Sequence, residues 1–270
     1  MEAKDEILVE EAGVEPETTS SEPIVSIVAL FDVLGFESRL RQIGLAAMRS
    51  LYASLVATVT SLPKARYLLR NLPDSDGAVH PALGVTDFKH AYFSDTIMLW
   101  DAYSDFFLPF FFETCCDLFR EGLLLKLPLR GSIGVGPAIL DKSNGTYLGL
   151  PLVDAARLEK RQRWLGVSFC DSFLRPPYNV IYPDSVIPYS EHFKEEADRR
   201  KPCLVLDWPR SWRDQKLGDI EAVISELNKD RDHEAYYANT LKFVAHSEQN
   251  QDWFRHLEVR EPRPSPQQAP

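Results

Sequence analysis

Ile24-Val-Ser-Ile-Val-Ala-Leu-Phe-Asp32-Val-Leu-Gly35-Phe-Glu37-Ser-Arg-Leu40 is the stretch that decides the fold. Its first half is a continuous apolar, β-branched run, the pattern of a strand covered on both faces. The run ends on one carboxylate, Asp32; a tight Gly turn follows, and a helical pattern opens at Glu37. An acid at the point where a core strand gives way to a helix is costly to bury without a compensating cation. The amides of Val33 to Phe36 would stand at the helix N-terminus, where phosphate oxygens are favoured. Strand, acid, turn and helix together point to a metal–phosphate site. An Asp that merely caps the helix is the alternative.

Further along, Phe88 to Trp100 reads Phe-Lys-His-Ala-Tyr-Phe-Ser-Asp-Thr-Ile-Met-Leu-Trp. Two strand-like runs flank Ser94-Asp95, a tight hairpin turn that lacks the Gly of the strongest hairpin signal. If this hairpin pairs beside the first strand, Asp95 meets Asp32 at one sheet edge. Two carboxylates there repel each other unless divalent cations sit between them. That is the outline of a two-metal site.

The remaining elements are read around these two. Residues 1–22, rich in Glu, Thr and Ser, are expected to be a disordered tail. Residues 37–62 carry Leu40, Ile43, Leu45, Ala47, Met48, Leu51, Leu55 and Val59 at helical spacings, as one long helix or two, stopped by Pro63. Residues 71–84 read as a loop, and residues 104–121 as a helix closed by Gly122. Residues 127–140 have strand character, with Gly131, Gly134 and Gly136 marking where another backbone or a ligand comes close. A helix over 152–163 and a strand over 165–169 follow. Beyond 170 the pattern weakens to a strand at 203–208, helices at 219–228 and 234–245, and a Pro-rich disordered tail at 260–270. The chain thus divides into a core, 23–170, and a continuation, 171–259, that packs on it. The element order predicts an α/β sandwich of ferredoxin-like type with its helices on one face.

Composition narrows the function. The chain has 270 residues, 44% hydrophobic and 26% charged, enough for one globular domain with a full core. A net charge of -10 argues against a nucleic-acid partner, which needs clustered Lys and Arg. Cys115, Cys116, Cys170 and Cys203 show no CxxC spacing and read as reduced thiols of a cytosolic protein. Six scattered histidines form no zinc pattern. The most apolar window, 106–119, is broken by Pro109, Glu113 and Asp117 and is too short for a bilayer, so a soluble, cytoplasmic protein is expected.

Four motifs in order carry a family resemblance: Phe31-Asp32-Val-Leu-Gly35-Phe36, Phe93-Ser-Asp95, Leu129-Arg-Gly-Ser-Ile-Gly-Val-Gly-Pro137, and Gly149-Leu-Pro-Leu-Val-Asp-Ala-Ala-Arg157-Leu-Glu159. Across residues 24–170 the sequence resembles the class III nucleotidyl cyclases, and within them the bacterial pyrimidine nucleotide cyclases of the Pycsar anti-phage system. The resemblance implies the palm-type sheet of that family and a homodimer making cyclic UMP or cyclic CMP. The product would activate a separate effector. Cyclisation is attack by the ribose 3′-hydroxyl on the α-phosphorus with pyrophosphate leaving, which two metal ions can promote.

The resemblance casts Asp32, Asp95 and the carbonyl of Val33 as ligands of two divalent cations, Mn²⁺ or Mg²⁺. Gly35 and Phe36 fall at the phosphate turn. Arg157 would stabilise charge on the α-phosphate, reaching the site from the partner subunit; a surface Arg paired with Glu159 or Asp154 is its alternative. Departures from the family pattern bear on the base. Val153 stands where an Asn is typical. Lys89 stands where adenylate cyclases read the base with Lys, but Thr146 replaces their Asp, which weakens the match to ATP. Tyr52 is a candidate bulky wall that would favour a pyrimidine, or else a core residue. Arg130 reads as a phosphate or base contact, or as an ion pair at a strand start. A purine cyclase of the same chemistry and a catalytically dead, dimerising nucleotide-binding module remain as alternatives.

Overall fold

The computed structural model describes residues 22–60, 70–73, 79–82, 88–105, 107–179, 182–199, 203–228 and 233–256. Strand β1 (Ile24–Val33) leads through the Leu34-Gly35 turn into α1 (Phe36–Thr60). A small ladder of β2 (Arg70–Pro73) and β3 (Val79–Ala82) follows, then the hairpin β4 (Lys89–Phe93) and β5 (Thr96–Ala102). Next come α2 (Leu108–Leu124), β6 (Leu129–Asp141), β7 (Thr146–Gly149), α3 (Leu150–Arg161) and β8 (Val167–Phe169). The C-terminal part adds β9 (Val186–Pro188), α4 (Glu196–Arg199), β10 (Leu204–Leu206), α5 (Trp208–Asp214), α6 (Ile220–Leu227), α7 (Glu234–Gln249) and a final 3₁₀ turn, Trp253–His256.

Mixed α/β architecture results, built on an eight-stranded sheet in the order β4-β5-β1-β6-β8-β10-β9, with β7 paired to β6. β1 lies antiparallel between β5 and β6, as its unbroken apolar run requires. Successive side chains of β1 point to opposite faces. Ile27, Ala29, Phe31 and Val33 join Met48 and Leu55 of α1 and Phe111, Phe112 and Phe119 of α2. Val28 and Leu30 join Met98 and Trp100 of β5 and Ala155 of α3. α3 therefore covers the face opposite α1 and α2, which corrects the expectation of helices on one face. A strand with apolar residues toward both faces needs cover on both.

The glycines of β6 are explained by neighbouring backbone. A Cβ on Gly131 would stand 2.6 Å from the Leu30 carbonyl oxygen and 2.8 Å from the Phe31 ring; one on Gly134 would stand 2.7 Å from the Pro151 carbonyl. β1 and the start of α3 press that closely on β6. Gly122, expected to close α2, lies inside it instead, where a Cβ would meet the Leu127 carbonyl at 2.7 Å. In α1, Gly44 takes φ 79°, a non-helical kink that divides the helix into two segments. Ser94 supplies the positive φ (54°) of the β4–β5 turn in place of the missing Gly. Within the expected loop at 71–84, β2 and β3 pair from Arg70↔Ala82 to Pro73↔Val79. Pro73 and Pro81 masked this pairing in the sequence, but a two-stranded ladder has outward N–H positions where Pro costs nothing.

The segment beyond residue 170 extends the same sheet: β10 pairs with β8, and β9 with β10, all antiparallel. Trp208, at the start of α5, is fully buried and donates from Nε1 to the Leu165 carbonyl (3.2 Å). β9, α4 and α5 are too short to show periodicity in the sequence. Pro63 and the expected tails, apart from Glu22, lie outside the described residues. Among the described residues no helix is long and apolar enough to cross a membrane.

The close approach at Gly131 makes a direct test. Gly131→Ala should destabilise the chain by about 1–3 kcal/mol, the usual range for overpacking, in urea denaturation. An unchanged midpoint would show that β1 and β6 are not packed this tightly.

Candidate active site

The sheet brings Asp32 and Asp95 together. Asp32 is paired with Thr96 across β1 and β5, so the preceding residue, Asp95 in the hairpin turn, abuts it. The Val33 amide donates to the Asp95 carbonyl (3.0 Å), and the Leu34 amide to the Pro128 carbonyl (2.9 Å), which pins the turn leading into α1. Both acids are half-buried. Burial is the largest influence on the Asp32 carboxyl and pushes its pKa up; Arg130 pulls the other way, and the neighbouring Asp95 adds to the rise.

On its other side Asp32 faces Arg130 of β6, its partner in register. Arg130 Nη2 and Nε lie 2.9 and 3.0 Å from Asp32 Oδ2. The same Nε lies 2.5 Å from Oε1 of Glu159 on α3, and the two side chains are only 13% and 7% exposed. Glu159 is pushed up to about 7, chiefly by burial; Arg130 opposes the rise and Asp32 adds to it. The guanidinium also stands over the Tyr236 ring, 5.8 Å from its centroid, with Nη1 donating to Tyr236 Oη (3.4 Å). One largely covered arginine of β6 thus holds two acids and an aromatic face from three other elements, β1, α3 and α7.

Two cavities open on either side of the acids. The first, about 670 Å³, is lined by Asp32, Val33, Gly35, Phe36, Asp95 and Arg130, with Lys194, His233 and Tyr236 from the C-terminal part. The second, about 740 Å³ and more apolar, runs from Asp32 and Asp95 past Phe93, Thr146 and Tyr147 to Leu152, Val153, Glu159 and Lys160. The fold therefore gathers Asp32, Val33, Gly35, Phe36, Asp95 and Arg130 at one end of the sheet, while Thr146, paired with Asp141 at the far end of β6, shares only the second cavity with the acids.

Three of the residues singled out in the sequence lie elsewhere. Tyr52 is buried in the core against Phe36 and Tyr92, ring centroids 5.7 and 6.5 Å away. Its hydroxyl has no hydrogen-bond partner among the described residues, and burial, with both acids adding, pushes its pKa up. Lys89 is exposed at the far end of β4 from the Ser94-Asp95 turn and lines neither cavity. Arg157 is on the exposed side of α3, in a separate depression with Asp154, Arg161 and Arg175. The periodicity of α3 accounts for this: Ala155 and Glu159, four residues apart, face the sheet, and Arg157 cannot share their side. Glu159 pairs with Arg130 rather than with Arg157.

Glu159, Lys194, His233 and Tyr236 are the residues at the cavities that sequence reasoning missed. Glu159 belonged to a recognised motif but was weighed only as a surface partner. The other three come from a segment with no motif signal at all.

The donor set suits a hard divalent cation. Two adjoining carboxylates, one with its acidity weakened by the other, are oxygen ligands short of positive charge. Among the described residues no group of three or more His, Cys, Asp and Glu side chains is arranged for a metal. Backbone and substrate oxygens would have to complete the coordination, as is usual for Mg²⁺ held on phosphates.

No protein-family model and no characterised protein sequence matches the chain. Solved structures do. The catalytic core of a rhodopsin-guanylyl cyclase with converted specificity, in complex with ATPαS, overlaps at a TM-score of 0.46 with 12% identity, covering 68% of this chain and 96% of that one. The non-canonical dimeric guanylyl cyclase domain of the RhoGC fusion protein from the aquatic fungus Blastocladiella emersonii overlaps at 0.42 with 13% identity, covering 69% and 97%. The adenylate/guanylate cyclase/hydrolase from Silicibacter pomeroyi overlaps at 0.36 with 12% identity, covering 69% and 96%. What this chain is similar to in these comparisons is, each time, a nucleotide cyclase domain.

Proposed function

We propose that this chain is a nucleotide cyclase, converting a nucleoside triphosphate to its 3′,5′-cyclic monophosphate and pyrophosphate, with UTP as the preferred substrate. The observation that carries the reading is the meeting of Asp32 and Asp95, 63 positions apart in sequence, at the strand end where the Gly35 turn opens α1. Asp32, Asp95 and the Val33 carbonyl would hold two divalent cations, Mn²⁺ or Mg²⁺. Bound there, such ions supply Lewis acidity toward the ribose 3′-hydroxyl and offset the triphosphate charge.

The protein's own groups do the positioning. Amides of the turn at Gly35 and Phe36 offer donors to phosphate oxygens. Arg130, fixed between Asp32 and Glu159, presents its remaining N–H groups to the same cavity. Thr146 lines the more apolar cavity, where a base has room and an uncharged donor or acceptor to meet.

The placement of Arg157 on the outer side of α3 supports a homodimer with composite sites, in which the partner's arginine would face the α-phosphate. Exposed Phe93, Leu148, Leu150 and Val153 beside the second cavity give such a partner an apolar surface to cover. The preference for a pyrimidine rests on Thr146, an uncharged residue in the second cavity where adenylate cyclases carry an Asp; Lys89 and Tyr52 line neither cavity and do not add to it. By the same resemblance the cyclic nucleotide would act on a separate effector in anti-phage defence, and an inactive, dimerising cyclase-like module is the competing assignment.

Incubating the chain with each of the four triphosphates and Mn²⁺ should yield cyclic UMP. Cyclic AMP instead would make it a purine cyclase, and no product with any of them would remove the enzymatic reading. Asp32→Ala and Asp95→Ala should each abolish turnover with far-UV circular dichroism unchanged; full activity in either would sink the metal assignment. Arg157→Ala should lower kcat by about 100-fold, the scale of one lost oxyanion donor. Mixing the inactive Asp32→Ala and Arg157→Ala chains should restore part of the activity if sites are shared, and no restoration would count against a composite site.

A further inference from the structure

We infer that the segment beyond residue 170 lines part of the candidate site, with Lys194 and His233 binding the terminal phosphates of the triphosphate and then the pyrophosphate. The inference rests on the cyclase reading above and adds residues to it.

The charge of the cavity favours this assignment. The sheet side of the 670 Å³ cavity carries Asp32 and Asp95, and Glu37 stands at its rim. A polyanion entering such a space needs donors besides the acids and their ions. Lys194, His233 and Tyr236 of the C-terminal part line the same cavity.

The placement of the His233 ring favours it too. The His233 ring lies against the phosphate turn: a Cβ on Gly35 would be 3.4 Å from its Cδ2 and Nε2. An anion accepting from the amides of that turn would therefore meet the imidazole as well. His233 also stands at the N-terminus of the 16-residue helix α7, so a second set of helix-end donors opens on the same space.

Lys194 is rooted for this task. Its amide donates to the Arg161 carbonyl (2.8 Å), and its Nζ rests on the Lys160 carbonyl, both at the last turn of α3. A lysine already held in place loses less side-chain freedom when it takes a ligand. Tyr236 has a different part. Its ring and hydroxyl keep the Arg130 guanidinium at the cavity, which makes it a positioning residue.

Calorimetric titration with pyrophosphate and Mg²⁺ tests the assignment on the full chain. Lys194→Ala and His233→Ala should each weaken pyrophosphate binding about tenfold, the scale of one charge-assisted hydrogen bond. UMP binding and the thermal midpoint should stay as in the wild type, because neither residue lies in the core or at the second cavity. Unchanged pyrophosphate affinity in both variants of a chain that still cyclises its substrate would overturn the inference and leave the cyclase reading intact. Equal losses for UMP and pyrophosphate would overturn it too, because they would trace to the fold. A wild-type chain that binds no pyrophosphate and cyclises nothing would take down the cyclase reading and this inference together.

Discussion

The salt bridge between Asp32 and Arg130 is the contact on which the candidate site turns. Asp32 ends the central strand, Arg130 sits opposite it on β6, and their register is fixed by ten paired positions along β1 and β6. A half-buried carboxylate next to a second one is electrostatically unfavourable, and the guanidinium lowers that cost without removing it. Arg130 faces both Asp32 and Glu159, with Asp95 beyond. The carboxylates at this end of the sheet thus outnumber the guanidinium that pairs with them, a balance that suits oxygen-bound divalent ions.

Everything that fixes Arg130 belongs to different layers of the molecule. β1 contributes Asp32, α3 contributes Glu159 from the other face of the sheet, and α7 contributes Tyr236 from the C-terminal part. The sheet has to be covered on both faces before these groups can meet. The glycines of β6 permit this, since Gly131 and Gly134 let β1 and Pro151 approach to distances that no side chain would allow. Packing and site are thus one problem: the residues that let α3 sit down on the sheet also deliver Glu159 to Arg130.

The C-terminal part follows the same logic. Its strands prolong the sheet beyond β8, and its tryptophans seal the α1–α2 face, with Trp208 and Trp212 fully buried. By packing there it carries α7 up to the Gly35 turn. A segment that reads in sequence as a continuation of little character thereby lines part of the 670 Å³ cavity.

By itself the sequence determined the central strand, the acid at its end, the Gly turn, the hairpin carrying Asp95 and the glycine-marked strand β6. Those features are local: an unbroken apolar run, a turn and a small-residue pattern each carry their meaning within a few positions. Only the tertiary structure decided that α3 covers the opposite face, that Glu159 rather than Arg157 turns inward, and that Lys194, His233 and Tyr236 line the same cavity as the acids. These depend on which side of a helix packs and on contacts between segments far apart in the chain. No local pattern encodes such contacts, because the free energy that selects them arises from burying whole faces together.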